Sequence, residues 1–420
     1  MDKLILHHSG ALHGAVRVSG AKNAALPIMA ACLLTEEPVV LEGIPRVTDV
    51  VTMADILRRL GVRVDQDETR LLIDPNHYTG SSAPYELVSV MRASLCVLGP
   101  LLARHHRARV SLPGGCIIGP RPVDLHLKGL SSLGATIAID HGDIIATTAG
   151  LYGTTVHLAG ASGSSVLATA NVMMAAVLAQ GRTIIEHAAC EPEVVDLANF
   201  LIAMGARVTG HGSAVIQIDG ASELHGATHR IIPDRIEAGT LLIAAAALGG
   251  DVTIIGARAD HLGALIETLR EAGVGIEQEE GSLRVRSDRR LKAVDVTTLP
   301  FPGFPTDLQA PIMAMMAVSQ GLGVVIEKIY PERFMHVPEL RRMGAQISRE
   351  GSSAIVRGVD RLSGAPVTAS DLRAAASLVI AGLMAENTTE LRGVEHLDRG
   401  YEHIEDKLAS LGASIQREAS

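Results

Sequence analysis

Residues 57–64 read LRRLGVRV: the end of an amphipathic segment, a glycine, and a run of strand-forming residues. Glycine suits that junction because a helix commonly ends with its next residue at positive φ, which is costly for any residue with a Cβ. The Val-rich run after it is strand-like. The same pattern recurs as LSSLGATIAI (130–139), LIAMGARVTG (201–210), LREAGVGIE (269–277), LRRMGAQIS (340–348) and LASLGASIQ (408–416). The glycines Gly61, Gly134, Gly205, Gly273, Gly344 and Gly412 are 73, 71, 68, 71 and 68 residues apart. Six units of about seventy residues therefore fill the chain.

Each unit holds a second helix that is apolar nearly all round: AALPIMAACLL, RASLCVLGPLLA, LATANVMMAAVLA, IEAGTLLIAAAAL, LQAPIMAMMAVS and LRAAASLVIAGLMA. A helix without a polar face belongs inside a domain, and the many Ala, Ser and Gly residues allow close packing. After each comes a polar turn and a β-like run, such as EEPVVLEGI, GRTIIEHA or GLGVVIEKI. Most copies add a further short strand, as in LLIDP, DIIATT and SLRVRS. The pattern predicts an α/β (α+β) fold with helices inside and sheets covering them, in two domains of three units.

Of 420 residues, 47% are hydrophobic and 20% charged, a globular composition. With 37 Lys+Arg against 46 Asp+Glu the net charge is −9, and there are four Phe, five Tyr and no Trp. The acidic balance argues against a nucleic-acid duplex as partner, and the lack of stacking platforms argues against single strands. The four cysteines, Cys32, Cys96, Cys116 and Cys190, form no CxxC pair and are too scattered for a disulfide framework. The N-terminus has no apolar run of signal-peptide length, and the longest uncharged stretches are broken by Ser, Gln, Asn, Gly or Pro, so no transmembrane helix is expected. A cytoplasmic protein is expected, and the oligomeric state is left open.

Polar residues gather where the apolar helices begin: Lys22-Asn23, Arg92, Ser164-Ser165, Asp234-Arg235, Asp307 and Asp371/Arg373. A helix N-terminus carries about half a positive charge, so Lys or Arg there calls for a compensating anion. Basic residues at equivalent places in different repeats suggest a phosphate or carboxylate site. The plainer reading makes Asp234, Asp307 and Asp371 N-caps that pair with the arginines. A second irregularity is LPGGCIIGPRPVDL (112–125), whose Gly and Pro residues mark a loop centred on Cys116. A thiol near Arg121 can serve as acid/base group or nucleophile, whereas Cys32 and Cys96, inside apolar helices, read as small core residues. Asp307, in FPGFPTDLQ, is a candidate general base. His105-His106 read as a surface turn, and no metal-binding or P-loop spacing occurs.

The motifs GAKNAALPIMAACLL, PGGCIIGPRPVDLHLKGL, EPEVVDLANFLIAMGA, PDRIEAGTLLIAAA, PGFPTDLQAP, ERFMHVPELRRMGA and RGYEHIEDKLASLGA resemble the UDP-N-acetylglucosamine 1-carboxyvinyltransferases, a family of the enolpyruvyl transferase superfamily. The resemblance runs end to end. It implies a two-domain inside-out α/β barrel, residues 22–232 forming one domain and 1–21 with 233–420 the other, with the active site between them. It implies transfer of the enolpyruvyl group of phosphoenolpyruvate to the 3-hydroxyl of UDP-N-acetylglucosamine, with no metal or organic cofactor. By the same resemblance Cys116 is the general acid that protonates the methylene carbon and can form an adduct, and Asp307 receives the hydroxyl proton or stabilises the intermediate. Lys22, Arg121 and Arg399 look like the phosphate and carboxylate clamp, completed by Arg92, Arg333 and Arg373. Asn23, Ser165, Val166 and Ile329 match acceptor contacts, while Arg121, Pro122, Val123, Asp124 and Leu125 match the frame of the uridine.

Two positions depart from the family pattern. Leu167 stands where a glycine is usual near the diphosphate, and Cys190 where an arginine is common. Leu167 motivates one alternative, an enolpyruvyl transferase with a different nucleotide acceptor. The other is a non-catalytic anion-binding scaffold.

Overall fold

The computed structural model describes residues 2–80, 83, 85–88, 91–112, 123–161, 163–287 and 290–419. They divide into two compact units. The first consists of described residues between Gly20 and Ile232; the second joins those up to Ser19 to those from Pro233 onward.

In the first unit the helices Lys22–Ala31, Leu98–His105 and Val166–Ala176 lie in the core; in the second, Arg235–Leu248, Gln309–Met316 and Leu372–Met384 do. All six repeat glycines take positive φ, between 89° and 103°, where the amphipathic helix gives way to its strand. Two apolar segments start later than their sequence pattern suggests. Arg92–Val97 and Thr306–Leu308 are 3₁₀ turns, and the α-helices proper begin at Leu98 and Gln309. Each has a proline two residues on (Pro100, Pro311), where a residue lacking an N–H fits the first turn without losing a helix hydrogen bond.

Among the described residues, each unit wraps its helices in three sheets. Those of the second unit are four-stranded; the first has two four-stranded sheets and one three-stranded sheet, plus a short hairpin. A sheet usually contains one parallel pair bracketing a buried helix, as Thr155–His157 with Arg182–Glu186 or Val296–Thr297 with Leu322–Ile326. Where the chain passes between units this rule is exchanged. Leu12–Arg17 precedes the Lys22 helix yet pairs with Gly250–Ile255, and Thr228–Arg230 precedes the Arg235 helix yet pairs with Val39–Glu42. Each unit is thus closed by a strand from the far end of its own chain segment.

Close helix packing explains the small residues. A Cβ on Gly99 would lie 2.3 Å from the Asn171 carbonyl oxygen, and one on Gly239 would lie 2.4 Å from Leu308 Cδ1. Overpacking of this kind costs about 1–3 kcal/mol. His105 is not on a free surface turn: half-buried, it stacks on Tyr78 with ring centroids 3.7 Å apart.

Candidate active site

Asp307 is the centre of the charged group in the second unit. It lies in the 3₁₀ turn Thr306–Leu308 that leads into the Gln309 helix, and it caps neither element. This corrects the N-cap reading of Asp307, while Asp234 and Asp371 do cap their helices through two backbone N–H groups each. The Asp307 carboxylate instead takes Arg333 Nη1 on Oδ1 at 2.7 Å and Arg373 Nη2 on Oδ2 at 2.9 Å. Burial would push the Asp307 carboxyl up, but the charges of Arg373 and Arg333 outweigh it and hold it well below the usual carboxylate range.

Arg373 is the second residue of the helix Leu372–Met384, close to its positive end. It tolerates that place because Asp371 caps the helix and Asp307 meets the guanidinium. Its other face covers Tyr401, 5.2 Å from the ring centroid, and the Tyr401 hydroxyl bonds Thr240 Oγ1 at 2.8 Å. Arg399 is half-buried two residues before Tyr401, at the C-cap of Glu395–Asp398. Ile329 is half-buried in the turn after the strand Leu322–Ile326, and its N–H donates to Glu327 Oε1 at 2.8 Å.

In the first unit Lys22 opens its helix and is buried. Its Nζ lies 3.0 Å from Asp49 Oδ2 on the next helix, Thr48–Arg59. The anion called for by a basic residue at a helix start is thus supplied by the protein itself, as it is at Arg373. Asn23 follows, half-buried. Arg92 opens its 3₁₀ turn, and its charge adds to burial in pushing His126 down to about 3. His126 Nδ1 faces Asn171 Nδ2 at 3.1 Å, so a neutral imidazole accepts the amide hydrogen. Ser165 caps Val166–Ala176, its Oγ accepting from Ala168 N at 3.3 Å. Val166 and Leu167 are partly buried against the core, as is Val123; Asp124 is exposed, and Leu125 lies over Gly160.

Cys116, Arg121 and Pro122 lie outside the described residues. Of the other cysteines, Cys32 and Cys96 are buried. Burial pushes the Cys32 thiol up and the Cys96 thiol to about 12, which keeps both unreactive at neutral pH. Cys190 is half-buried and its thiol is likewise raised, by burial and then by Glu191.

The structure thus unites Asp307, Arg333 and Arg373, and ties Ile329 to them through Glu327 and Thr306. It adds residues that the sequence reading did not single out: Asp49, Thr306, Glu327 and Tyr401. Glu327 carried a signal, being a lone acid that continues the core-facing register of Gly323 and Val325 just past an apolar strand.

The family model of EPSP synthase (3-phosphoshikimate 1-carboxyvinyltransferase) matches residues 6–408. A UDP-N-acetylglucosamine 1-carboxyvinyltransferase 2 of Carboxydothermus hydrogenoformans is 53% identical over 419 residues, 99% of each chain. The enzyme named UDP-N-acetylglucosamine 1-carboxyvinyltransferase in Myxococcus xanthus is 53% identical over 421 residues, covering both chains completely. Among solved structures, the enolpyruvyl transferase NikO from Streptomyces tendae superposes with a TM-score of 0.90 at 25% identity, over 100% of this chain and 99% of its own. An EPSP synthase from Acinetobacter baumannii shares the fold, with a TM-score of 0.77 at 19% identity and full coverage of both chains. The chain belongs to the EPSP synthase family of enolpyruvyl transferases and, within it, to the UDP-N-acetylglucosamine 1-carboxyvinyltransferases.

Proposed function

We propose that this protein transfers the enolpyruvyl group of phosphoenolpyruvate to the 3-hydroxyl of UDP-N-acetylglucosamine with release of phosphate, the first committed step of peptidoglycan synthesis, in the cytoplasm. The observation that carries the reading is Asp307 held at both oxygens by Arg333 and Arg373. An ionised carboxylate fixed in this way can accept a hydroxyl proton, and buried guanidiniums suit anionic substrates.

The steps balance as an addition followed by an elimination. Asp307 takes the proton of the 3-hydroxyl as its oxygen bonds to C2 of phosphoenolpyruvate. The thiol of Cys116 gives a proton to the methylene carbon, leaving a tetrahedral ketal. The Cys116 thiolate takes back a proton from the new methyl group as the C2–O bond to phosphate breaks, which restores the double bond, and the departing phosphate carries off the proton held by Asp307. Lys22, Arg121 and Arg399 hold the phosphate and carboxylate, with Arg92, Arg333 and Arg373 completing the charge match. Charge-assisted bonds contribute about 1.5–3 kcal/mol each. Asn23, Ser165, Val166 and Ile329 contact the acceptor, and Arg121, Pro122, Val123, Asp124 and Leu125 frame the uridine. No helix among the described residues is long and apolar enough to cross a membrane.

The test is phosphate release from phosphoenolpyruvate with UDP-N-acetylglucosamine, with shikimate 3-phosphate, and with neither, run beside Cys116→Ser. Release only with the nucleotide sugar, lost or greatly slowed in the variant, is expected. Release only with shikimate 3-phosphate would overturn the acceptor assignment.

A further inference from the structure

Several buried carboxylates of the second unit have no task in the reaction, and Glu327 is the most deeply buried of them. Glu327 directly follows the strand Leu322–Ile326 and is fully buried. A buried carboxylate is costly unless its lone pairs are met by donors. Four donors converge on it, and none is a lysine or arginine. Thr298 Oγ1, Ile329 N and Tyr330 N donate to Oε1 at 2.7, 2.8 and 2.9 Å, and Thr306 Oγ1 donates to Oε2 at 2.9 Å.

Three chain segments are joined in this way: the end of the strand Val296–Thr297, the residue before Asp307, and the turn that carries Ile329. Thr306 passes the constraint on. Its oxygen accepts from Arg333 Nη1 at 3.1 Å, and that same nitrogen donates to Asp307 Oδ1 at 2.7 Å. A hydroxyl has one proton to give. With that proton committed to Glu327, the lone pairs of Thr306 are left to face Arg333.

We propose that Glu327 is a positioning residue for the acceptor side of the reaction centre, fixing the Ile329–Tyr330 turn and, through the Thr306 hydroxyl, the angle at which Arg333 holds Asp307. The proposal rests on the roles given above to Asp307 and Ile329. An amide at position 327 would keep the size of the side chain but turn an N–H group against a donor. Valine at 306 would keep the shape of threonine and delete the relay, and serine would keep it.

The experiment measures phosphate release for Thr306→Val, Thr306→Ser and Glu327→Gln beside the wild type. Thr306→Val is expected to lower kcat about tenfold, equivalent to about 1.4 kcal/mol. It also moves the acidic limb of the kcat/KM profile to higher pH, because a looser Arg333 depresses the Asp307 carboxyl less. Thr306→Ser restores both. Glu327→Gln is expected to raise KM for UDP-N-acetylglucosamine about tenfold and to leave KM for phosphoenolpyruvate within about twofold. A merely structural glutamate would lower the melting temperature and the active fraction, with KM and the acidic limb as in the wild type. That result in the folded variants overturns the proposal. Should Glu327→Gln not fold, Thr306→Val alone decides, and behaviour like the wild type overturns it. A wild type inactive with UDP-N-acetylglucosamine would sink the functional reading and this role together; an active wild type with unaffected variants sinks this role alone.

Discussion

In the first unit one cation at the start of a buried helix meets an acid from the next helix, Lys22 with Asp49 at 3.0 Å. In the second, one acid meets two cations, Asp307 with Arg333 and Arg373 at 2.7 and 2.9 Å. Their exposure differs in an informative way. The side chains of Lys22 and Asp49 are 11% and 6% exposed, so both ends of that pair face inward. Arg333 and Arg373 are 8% and 4% exposed, whereas Asp307 retains 24%. The second unit buries its cations and presents its acid; the first buries both partners. The counter-charge at a helix start can therefore be buried with its cation, as Asp49 is with Lys22, or left partly open, as Asp307 is beside Arg333 and Arg373.

Asp49→Asn breaks this comparison most severely if it is mistaken. It strips the carboxylate charge from a buried pair, so it is expected to cost about 3–5 kcal/mol of stability in urea denaturation. Asp307→Asn, at a partly open position, should cost less. The reverse order of the two losses would mean that exposure of the carboxylate does not set the cost of losing its charge.

Titration offers a mid-sized test, because each unit also buries a neutral histidine. His126 is pushed down to about 3 by burial and then Arg92, and His336 to about 4 chiefly by burial. Unfolded histidine binds its proton near pH 6.5. The unfolded chain therefore takes up protons as pH falls from 6.5 toward those values while the folded chain does not, and stability drops with pH in that window. Each histidine should account for roughly 2 kcal/mol of the loss by pH 5. His126→Gln keeps an acceptor for the Asn171 amide and should remove its share, read as a flatter dependence of the urea midpoint between pH 7 and 5. An unchanged slope would contradict the burial of a neutral ring there.

Leu167→Gly is the smallest effect and sharpens the first unit's side of the comparison. Leu167 is the second residue of Val166–Ala176 and is partly packed on the core. Glycine within a helix costs about 1 kcal/mol, and KM for UDP-N-acetylglucosamine should move by less than about threefold. A tenfold or larger fall in that KM would show that Leu167 obstructs the nucleotide sugar.

The repeat was legible because a helix-ending glycine and the strand after it are local features, and all six glycines do sit at positive φ. Apolar helices were legible because a helix lacking a polar face has nowhere to go but the interior. The exchange of Leu12–Arg17 and Thr228–Arg230 between sheets was not, since pairing across 238 and 188 residues leaves no periodic trace. Asp307 was visible as an acid at a helix start, but its true partners lie 26 and 66 residues away. Local reasoning offered a general base and beside it an N-cap, because an N-cap needs only the next turn. Glu327 was passed over inside GLGVVIEKI as part of an ordinary strand, although a charge on a core-facing register position requires several donors and so announces a network.

The account turns on Asp307 as the group that handles the acceptor's proton. Its most direct test is the kcat of phosphate release by Asp307→Asn at saturating phosphoenolpyruvate and UDP-N-acetylglucosamine, with the fold checked by circular dichroism. The account predicts a fall of at least about 10²-fold, the usual contribution of a positioned acid/base group. A folded variant whose kcat stays within about threefold of the wild type would contradict it.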